Sequence, residues 1–180
     1  MKNQINAIKS FFFLSIIVSC SLIAQESKSQ TSIGMNISQY QKDFGIGAHL
    51  ISPYFFESIV AVKAGVNLQW LENIENNSTT WTPYQNFQLG LRSRHFVIEN
   101  KLFIYSEGGA VLLLPNSKFS VEKTILGGYG IFGFEFKANQ KISYFIELGG
   151  VGTGATAELV QNKPIYSNGF LTNIGLRIIP

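Results

Sequence analysis

Residues 58–71 read SIVAVKAGVNLQWL, and their side chains alternate in character from one residue to the next. One set of alternate positions is apolar throughout: Val60, Val62, Ala64, Val66, Leu68 and Trp70. The other set is small or polar: Ala61, Lys63, Gly65, Asn67 and Gln69. A period of two residues is the side-chain period of a β-strand. The stretch therefore predicts a strand with one apolar face and one small or polar face.

The same alternation recurs along the rest of the chain. Earlier runs cover residues 32–39 and 44–52, and later runs start near residues 85, 102, 124, 142 and 170. No segment after the N-terminal region repeats its apolar residues with the 3.6-residue period of a helix. The sequence predicts an all-β chain of eight strands with essentially no helix.

The composition excludes several classes of protein. Charged residues make up 14% of the 180 residues and hydrophobic residues 46%, so the chain can bury enough apolar surface to fold. Cys20 is the only cysteine, which excludes a scaffold held by disulfides. Without Lys2 and Lys9, 12 basic residues face 11 acidic ones and form no basic run. We therefore expect no nucleic-acid partner.

The first 24 residues are predicted to be a signal peptide. Lys2 and Lys9 lie in a polar beginning, and a short apolar stretch extends from Phe11 to Ala24. Cleavage before residue 25 is one interpretation. The other is lipoprotein processing at Cys20, because residues 17–20, IVSC, resemble a lipobox. The predicted organisation is a signal peptide at 1–24, a short segment at 25–30 and a β-barrel domain at 31–180.

The connections between the predicted strands differ in length on the two sides. Short turns are predicted around 53–57, 98–101 and 138–141, and longer polar loops at 72–83, 115–123 and 157–164. Short turns on one side, long loops on the other and an even number of strands are typical of outer-membrane barrels. Strands that span lipid must pair on both edges, so an eight-stranded antiparallel up-and-down transmembrane barrel is predicted.

The chain resembles the small eight-stranded outer-membrane barrels of the OmpA/OmpX type over about residues 31–180. The resemblance lies in the strand pattern, the export signal and glycine-rich runs such as GGYGIFGF at 127–134. The last strand, NIGLRIIP at 173–180, is similar to the signal that barrel-assembly machinery recognises, although Pro180 stands where the family usually has an aromatic residue. The resemblance implies a monomer in the outer-membrane lipid of a Gram-negative cell, with barrel-assembly machinery as a partner during biogenesis.

Strand periodicity also predicts which charged side chains face the lumen of such a barrel. They are Lys63, Arg92, Arg94, Glu107, Glu135, Glu147 and Arg177, with His49 nearby. An eight-stranded barrel is only wide enough to be filled by its own side chains. Enclosed charges are costly unless they are paired and hydrogen-bonded. We therefore expect a connected network of bases and acids that plugs the lumen.

The sequence favours a structural or surface-interaction role. The loops that would meet an extracellular partner contain Trp81, Tyr84, Lys118, Phe119, Val160 and Gln161. Three alternatives remain open: a narrow pore, a barrel-type enzyme that modifies envelope lipids, and a lipidated soluble β-barrel.

The evidence for catalysis is weak. Ser52 lies three residues from His49 but on the opposite face of the predicted strand. Residues 167–168, Ser-Asn, are similar to the Ser-Asn of barrel lipid A deacylases, but Tyr166 stands where their motif has a histidine. We predict that the protein is not an enzyme and has no catalytic, cofactor-binding or metal-binding residues.

Overall fold

The computed structural model describes residues 30–75, 78–99 and 101–180, and within them the chain forms eight β-strands and no helix. The strands are β1 Ser32–Gln39, β2 Asp43–Ile51, β3 Val60–Glu75, β4 Ser78–Ile98, β5 Leu102–Leu114, β6 Ile125–Lys137, β7 Ile142–Gly152 and β8 Gly169–Ile178. Each strand pairs antiparallel with the next, and β8 pairs with β1 to close the barrel. The predicted all-β fold, an eight-stranded antiparallel up-and-down barrel, is confirmed. The predicted signal peptide lies outside the described residues.

Alternating burial shows which way the side chains face. From Trp81 to Arg92 in β4, exposed and buried residues alternate without a break. The exposed members include Phe87, Leu89 and Leu91, whereas Asn86 and Arg92 are buried. Closure of the sheet therefore encloses the polar face and leaves the apolar face outside. None of the described residues lies in a helix long and apolar enough to cross a membrane.

The two ends of the barrel differ in the connections that they carry. The connections from β2 to β3, from β4 to β5 and from β6 to β7 lie at the end where β1 begins and β8 finishes, here called the terminal end. Residues 40–42, 115–124 and 153–168 connect strands at the opposite end, here called the loop end. The predicted long loops at 115–123 and 157–164 are present at the loop end, whereas residues 40–42 make only a short turn there.

The prediction of a long loop at 72–83 is wrong. β3 continues to Glu75 and β4 begins at Ser78, and the two strands remain paired from Glu72↔Trp81 to Glu75↔Ser78. Several asparagines suggested a loop, but threonine and tryptophan at residues 79–82 favour a strand. Strand propensity and cross-strand pairing therefore extend this hairpin beyond the neighbouring strands.

Apolar side chains fill the lumen at the loop end. Tyr84 from β4 meets Phe119 and Tyr166 from the long loops, and the three ring centroids lie 5.0–5.8 Å apart at steep angles. Edge-to-face geometry of this kind is favourable for aromatic rings. We call these three residues the aromatic cap. Tyr84 and Phe119 were expected in exposed loops, but both are buried because the loops fold inward over the barrel.

Two contacts hold the long loops together above the aromatic cap. The backbone N–H of Leu159 donates to the carbonyl of Phe119 at 3.1 Å. The Ser120 hydroxyl donates to Glu158 Oε2, also at 3.1 Å. The loops at 115–124 and 153–168 therefore form one joined cover rather than two independent extensions.

Candidate functional site

Six charged side chains form a continuous chain of contacts across the lumen toward the terminal end. In order of contact they are Glu107, Lys63, Glu147, Arg177, Glu135 and Arg92, here called the lumen network. Lys63 Nζ lies 2.7 Å from Glu107 Oε1 and 3.9 Å from Glu147 Oε2. Arg177 lies 2.6 Å from Glu147 Oε1 and 2.9 Å from Glu135 Oε2, and Arg92 contacts the same Glu135 oxygen. Acid and base alternate along the whole chain.

The lumen network is largely shielded from water. Arg92, Glu147 and Arg177 are each 1% exposed, and Lys63 and Glu107 are also buried. Ions removed from water lose several kcal/mol of hydration each, by order of magnitude, so every member depends on its partners. Removing one charge is therefore expected to leave its neighbour as a buried ion that has lost a partner.

Neutral side chains complete the hydrogen bonding of the acids. The Tyr105 hydroxyl donates to Glu147 Oε1 at 2.6 Å, and Asn173 donates to the other oxygen of Glu147 at 2.9 Å. The Tyr129 hydroxyl donates to Glu107 at 2.9 Å, and the Ser143 hydroxyl donates to Glu135 at 2.5 Å. Sequence reasoning missed Tyr105 and Tyr129, although both occupy inward positions by strand period.

His49 joins the lumen network as a neutral acceptor. Arg177 Nε donates to His49 Nε2 at 3.1 Å, and an arginine N–H can only donate. The histidine proton therefore belongs on Nδ1, which lies 3.4 Å from Asn36 Oδ1. Gly34 makes room for this ring, because a Cβ there would lie 2.1 Å from His49 Nε2.

Arg94 is the one predicted network residue that the structure keeps apart. Its guanidinium carbon lies 4.0 Å from the ring centroid of Tyr54 and 4.8 Å from that of Phe103. Across residues 30–75, 78–99 and 101–180 no acid pairs with it within 4.0 Å. Arg94 lies closer to the terminal end because it follows Arg92 by two residues along β4.

A second polar cluster, which sequence reasoning missed, lies at the loop end. One oxygen of Asp43 accepts hydrogen bonds from the Tyr84 hydroxyl and from the backbone N–H of Ser167, both at 2.5 Å. The Ser167 hydroxyl lies 2.6 Å from the Tyr84 hydroxyl. Asp43 is the first residue of β2, and its contact across 124 residues has no local signal in the sequence.

Two tyrosines in the connections of the loop end are shielded from water. Burial raises the pKa of Tyr166 to about 12. Burial also raises the pKa of Tyr40, and the nearby Asp43 carboxylate adds to this rise. Both hydroxyls therefore stay protonated at neutral pH, and neither is prepared to act as a base.

The residues considered for catalysis are engaged in structural contacts. The Ser52 hydroxyl donates to the carbonyl of Pro53 and accepts from the N–H of Val62, each at 2.9 Å. The Ser52 hydroxyl therefore links the residue that follows β2 to strand β3. In the part of the chain that the structure describes, no group of three or more His, Cys, Asp or Glu side chains could hold a metal ion.

The fold is similar to that of the N-terminal β-barrel domain of OprF from Pseudomonas aeruginosa. The TM-score is 0.56 at 10% sequence identity, and the match covers 85% of this chain and 98% of that domain. At this identity the similarity establishes the fold alone, and it confirms the resemblance to a small eight-stranded barrel. No protein-family model matches the chain, and no curated protein matches it in sequence.

Proposed function

We propose that this protein is an integral outer-membrane barrel with a closed lumen and a structural or surface-interaction role. The observation that carries the proposal is the inverted distribution of side chains. Charged residues such as Arg177 and Glu147 are buried inside the barrel, whereas the outward faces of the strands are apolar. A barrel surrounded by water would have the opposite arrangement.

The outer surface supports a lipid environment. Leu126 is 72% exposed and Ile37 is 64% exposed, and every strand except β5 carries at least two exposed large apolar side chains. Each Å² of apolar surface left in water costs roughly 25 cal/mol, so an apolar belt around the whole barrel would strongly favour aggregation or lipid. Lipid is the solvent that suits a closed sheet of this kind.

A cluster of outward aromatic residues indicates where one boundary of the membrane would lie. Phe44 stacks on Trp70 with ring centroids 5.3 Å apart and meets Trp81 at 5.0 Å. The three rings lie together on the outside of β2, β3 and β4, near the loop end. Aromatic rings favour the boundary between lipid and water, so we assign this cluster to the outer interface.

The interior supports a closed barrel rather than a pore. The lumen network occupies the lumen toward the terminal end, and the aromatic cap fills the loop end. The loops also expose Val121, Leu159 and Ile165 beyond the strands. Exposed apolar side chains outside the lipid belt suit contact with a partner at the cell surface, which favours an interaction role.

Matched arginine substitutions test the membrane assignment. Leu89→Arg places a charge on the outward face midway along β4, whereas Leu159→Arg places the same charge on a loop. In lipid vesicles, the first change is expected to lower the free energy of unfolding by about 2–4 kcal/mol, and the second by about 0–1 kcal/mol. Equal, small effects of the two changes, together with recovery of the protein in the soluble fraction of cells, would contradict the proposal.

Planar-bilayer recording tests the closed lumen. We expect the refolded barrel to show no large steady conductance. A stable conductance of the size seen for porins would contradict the closed lumen and favour a pore, even if the membrane assignment holds.

A further inference from the structure

Below the lumen network, a cavity of about 370 Å³ opens at the terminal end of the barrel. Four charged side chains line it: Arg92, Arg94, Lys137 and Glu135. Three of them are bases and only one is an acid. Tyr54, Phe103 and Ser32 are among the other residues that line it.

The guanidinium groups of Arg92 and Arg94 each lie over the face of an aromatic ring. The guanidinium carbon of Arg92 lies 3.5 Å from the ring centroid of Tyr105, and that of Arg94 lies 4.0 Å from the ring centroid of Tyr54. Cation–π contacts of this kind fix the position of the plane but use none of its N–H groups. The ring contacts therefore leave the edges of the guanidinium groups for hydrogen bonds, and Arg92 uses one edge nitrogen, Nη2, to contact Glu135.

Several of these N–H groups are buried without a protein partner. Arg92 Nε, Arg92 Nη1 and Arg94 Nε are shielded from solvent and find no hydrogen-bond acceptor in the described ranges 30–75, 78–99 and 101–180. Arg92 as a whole is 1% exposed, and its Nη2 is the nitrogen that contacts Glu135. An unsatisfied buried donor is costly, and a charged donor more so.

The charges around the cavity are also unbalanced. The lumen network has three bases and three acids, and Arg94 and Lys137 add two further bases at the cavity. A planar guanidinium edge matches two oxygens of a phosphate or carboxylate, so an oxyanion in the cavity would balance this excess charge. An excess of two positive charges fits a divalent anion better than a monovalent one.

We propose that this cavity binds a small divalent oxyanion of the phosphate class. Arg92 and Arg94, which are consecutive inward residues of β4, hold it by their edges, and Lys137 contacts it from the rim. The cavity is near the lower limit of ligand sites, which are commonly ~300–1,000 Å³, so a single phosphate group fits its scale. Free phosphate and the phosphomonoester headgroup of a lipid share this chemistry.

Binding of inorganic phosphate to the full-length refolded barrel tests the site, in a maltoside detergent that contains no phosphate. Titration calorimetry should show saturable binding with one phosphate per barrel. Arg94→Gln should weaken it by about tenfold or more, which corresponds to ~1.4 kcal/mol. Lys141→Gln, which removes a base from the same end of the barrel but outside the cavity, should leave the dissociation constant within about twofold.

Arg94 is the best position for the test because it pairs with no acid among the described residues, so its substitution leaves the lumen network intact. Heat-modifiable gel mobility checks that each variant folds. If Arg94→Gln does not fold, the exposed Lys137→Gln takes its place, with an expected weakening of roughly threefold. Arg94→Lys keeps the charge but loses the planar edge, so its affinity should fall between those of wild type and Arg94→Gln.

Two further titrations identify the source and the charge of the anion. If short-chain phosphatidic acid in the micelle binds more tightly than free phosphate, the natural ligand is a lipid headgroup. The reverse order of affinities would indicate the free ion. Acetate should bind much more weakly than phosphate. No saturable binding of phosphate or phosphatidic acid, equal affinity for acetate, or an unchanged dissociation constant in the folded variant would each overturn the proposal.

Discussion

The two ends of the lumen are filled by different kinds of side chain. Toward the terminal end, the lumen network pairs buried acids with buried bases, as in the 2.6 Å contact between Arg177 and Glu147. At the loop end, the aromatic cap fills the space with rings from β4 and from two loops. The network depends on charge balance, whereas the cap depends on volume. The two ends should therefore respond to different kinds of substitution.

The largest effect is expected from the centre of the lumen network. Glu147→Ala leaves Arg177 and Lys63 without their shared acid in a buried site. Breaking a buried pair in this way typically costs about 3–5 kcal/mol. The urea midpoint of the refolded barrel should fall accordingly.

An exposed acid provides the control for this substitution. Glu122→Ala removes the same charge from an exposed loop position and should change the free energy of unfolding by less than about 0.5 kcal/mol. Equal midpoints for the two variants would mean that the network is hydrated and contributes little.

The aromatic cap should respond to lost volume rather than lost charge. Phe119→Ala removes a fully buried ring and should cost about 3 kcal/mol, the low end for this change, because the loops can relax. Phe119→Leu keeps most of the volume and should cost less than about 1.5 kcal/mol. Urea unfolding measures both, and limited proteolysis should show that 115–124 and 153–168 are cut sooner in the alanine variant.

If Phe119→Ala leaves the loops unchanged, the aromatic cap and the cover formed by the loops are independent of each other. If proteolysis at 115–124 and 153–168 were unchanged while stability fell, Phe119 would act only inside the barrel. The backbone hydrogen bond between Leu159 and Phe119 would then hold the loops together without help from the Phe119 ring.

The sequence predicted the faces of the strands but not the contacts across the barrel. A period of two assigns Lys63, Glu107 and Glu147 to the inward face from local pattern alone. Their pairing depends on the tilt and register of strands up to 84 residues apart, which the pattern does not contain. Phe119 and Tyr166 were beyond prediction for another reason: loop residues have no period, so nothing local indicates that they turn inward.

An intermediate effect is expected where a glycine makes room for the lumen network. Gly34→Ala would place a methyl group 2.1 Å from His49 Nε2 and push the ring away from Arg177. Overpacking of this kind usually costs about 1–3 kcal/mol. The thermal midpoint should fall, and the imidazole nitrogen resonances of His49 should shift in NMR spectra.

Gly130, which is exposed on the outward face of β6, provides a control. A Cβ at Gly130 would meet no other atom within 4 Å, so Gly130→Ala should be neutral or stabilise by up to about 1 kcal/mol. Loss of stability in both variants would assign the effect to strand backbone rather than to the space around His49.

The smallest effect is expected from salt, which should hardly change the cost of Glu147→Ala. Buried charge pairs are screened far less than exposed ones, so the cost of Glu147→Ala should be similar in 0.1 M and 1 M NaCl, within about 0.5 kcal/mol. The cost of Phe119→Ala, measured under the same two conditions, corrects for any general effect of salt on apolar burial. If the cost of Glu147→Ala instead shrank strongly at high salt while that of Phe119→Ala did not, ions and water would have to reach the lumen network. The terminal end would then be a hydrated interior, and only the aromatic cap would close the barrel.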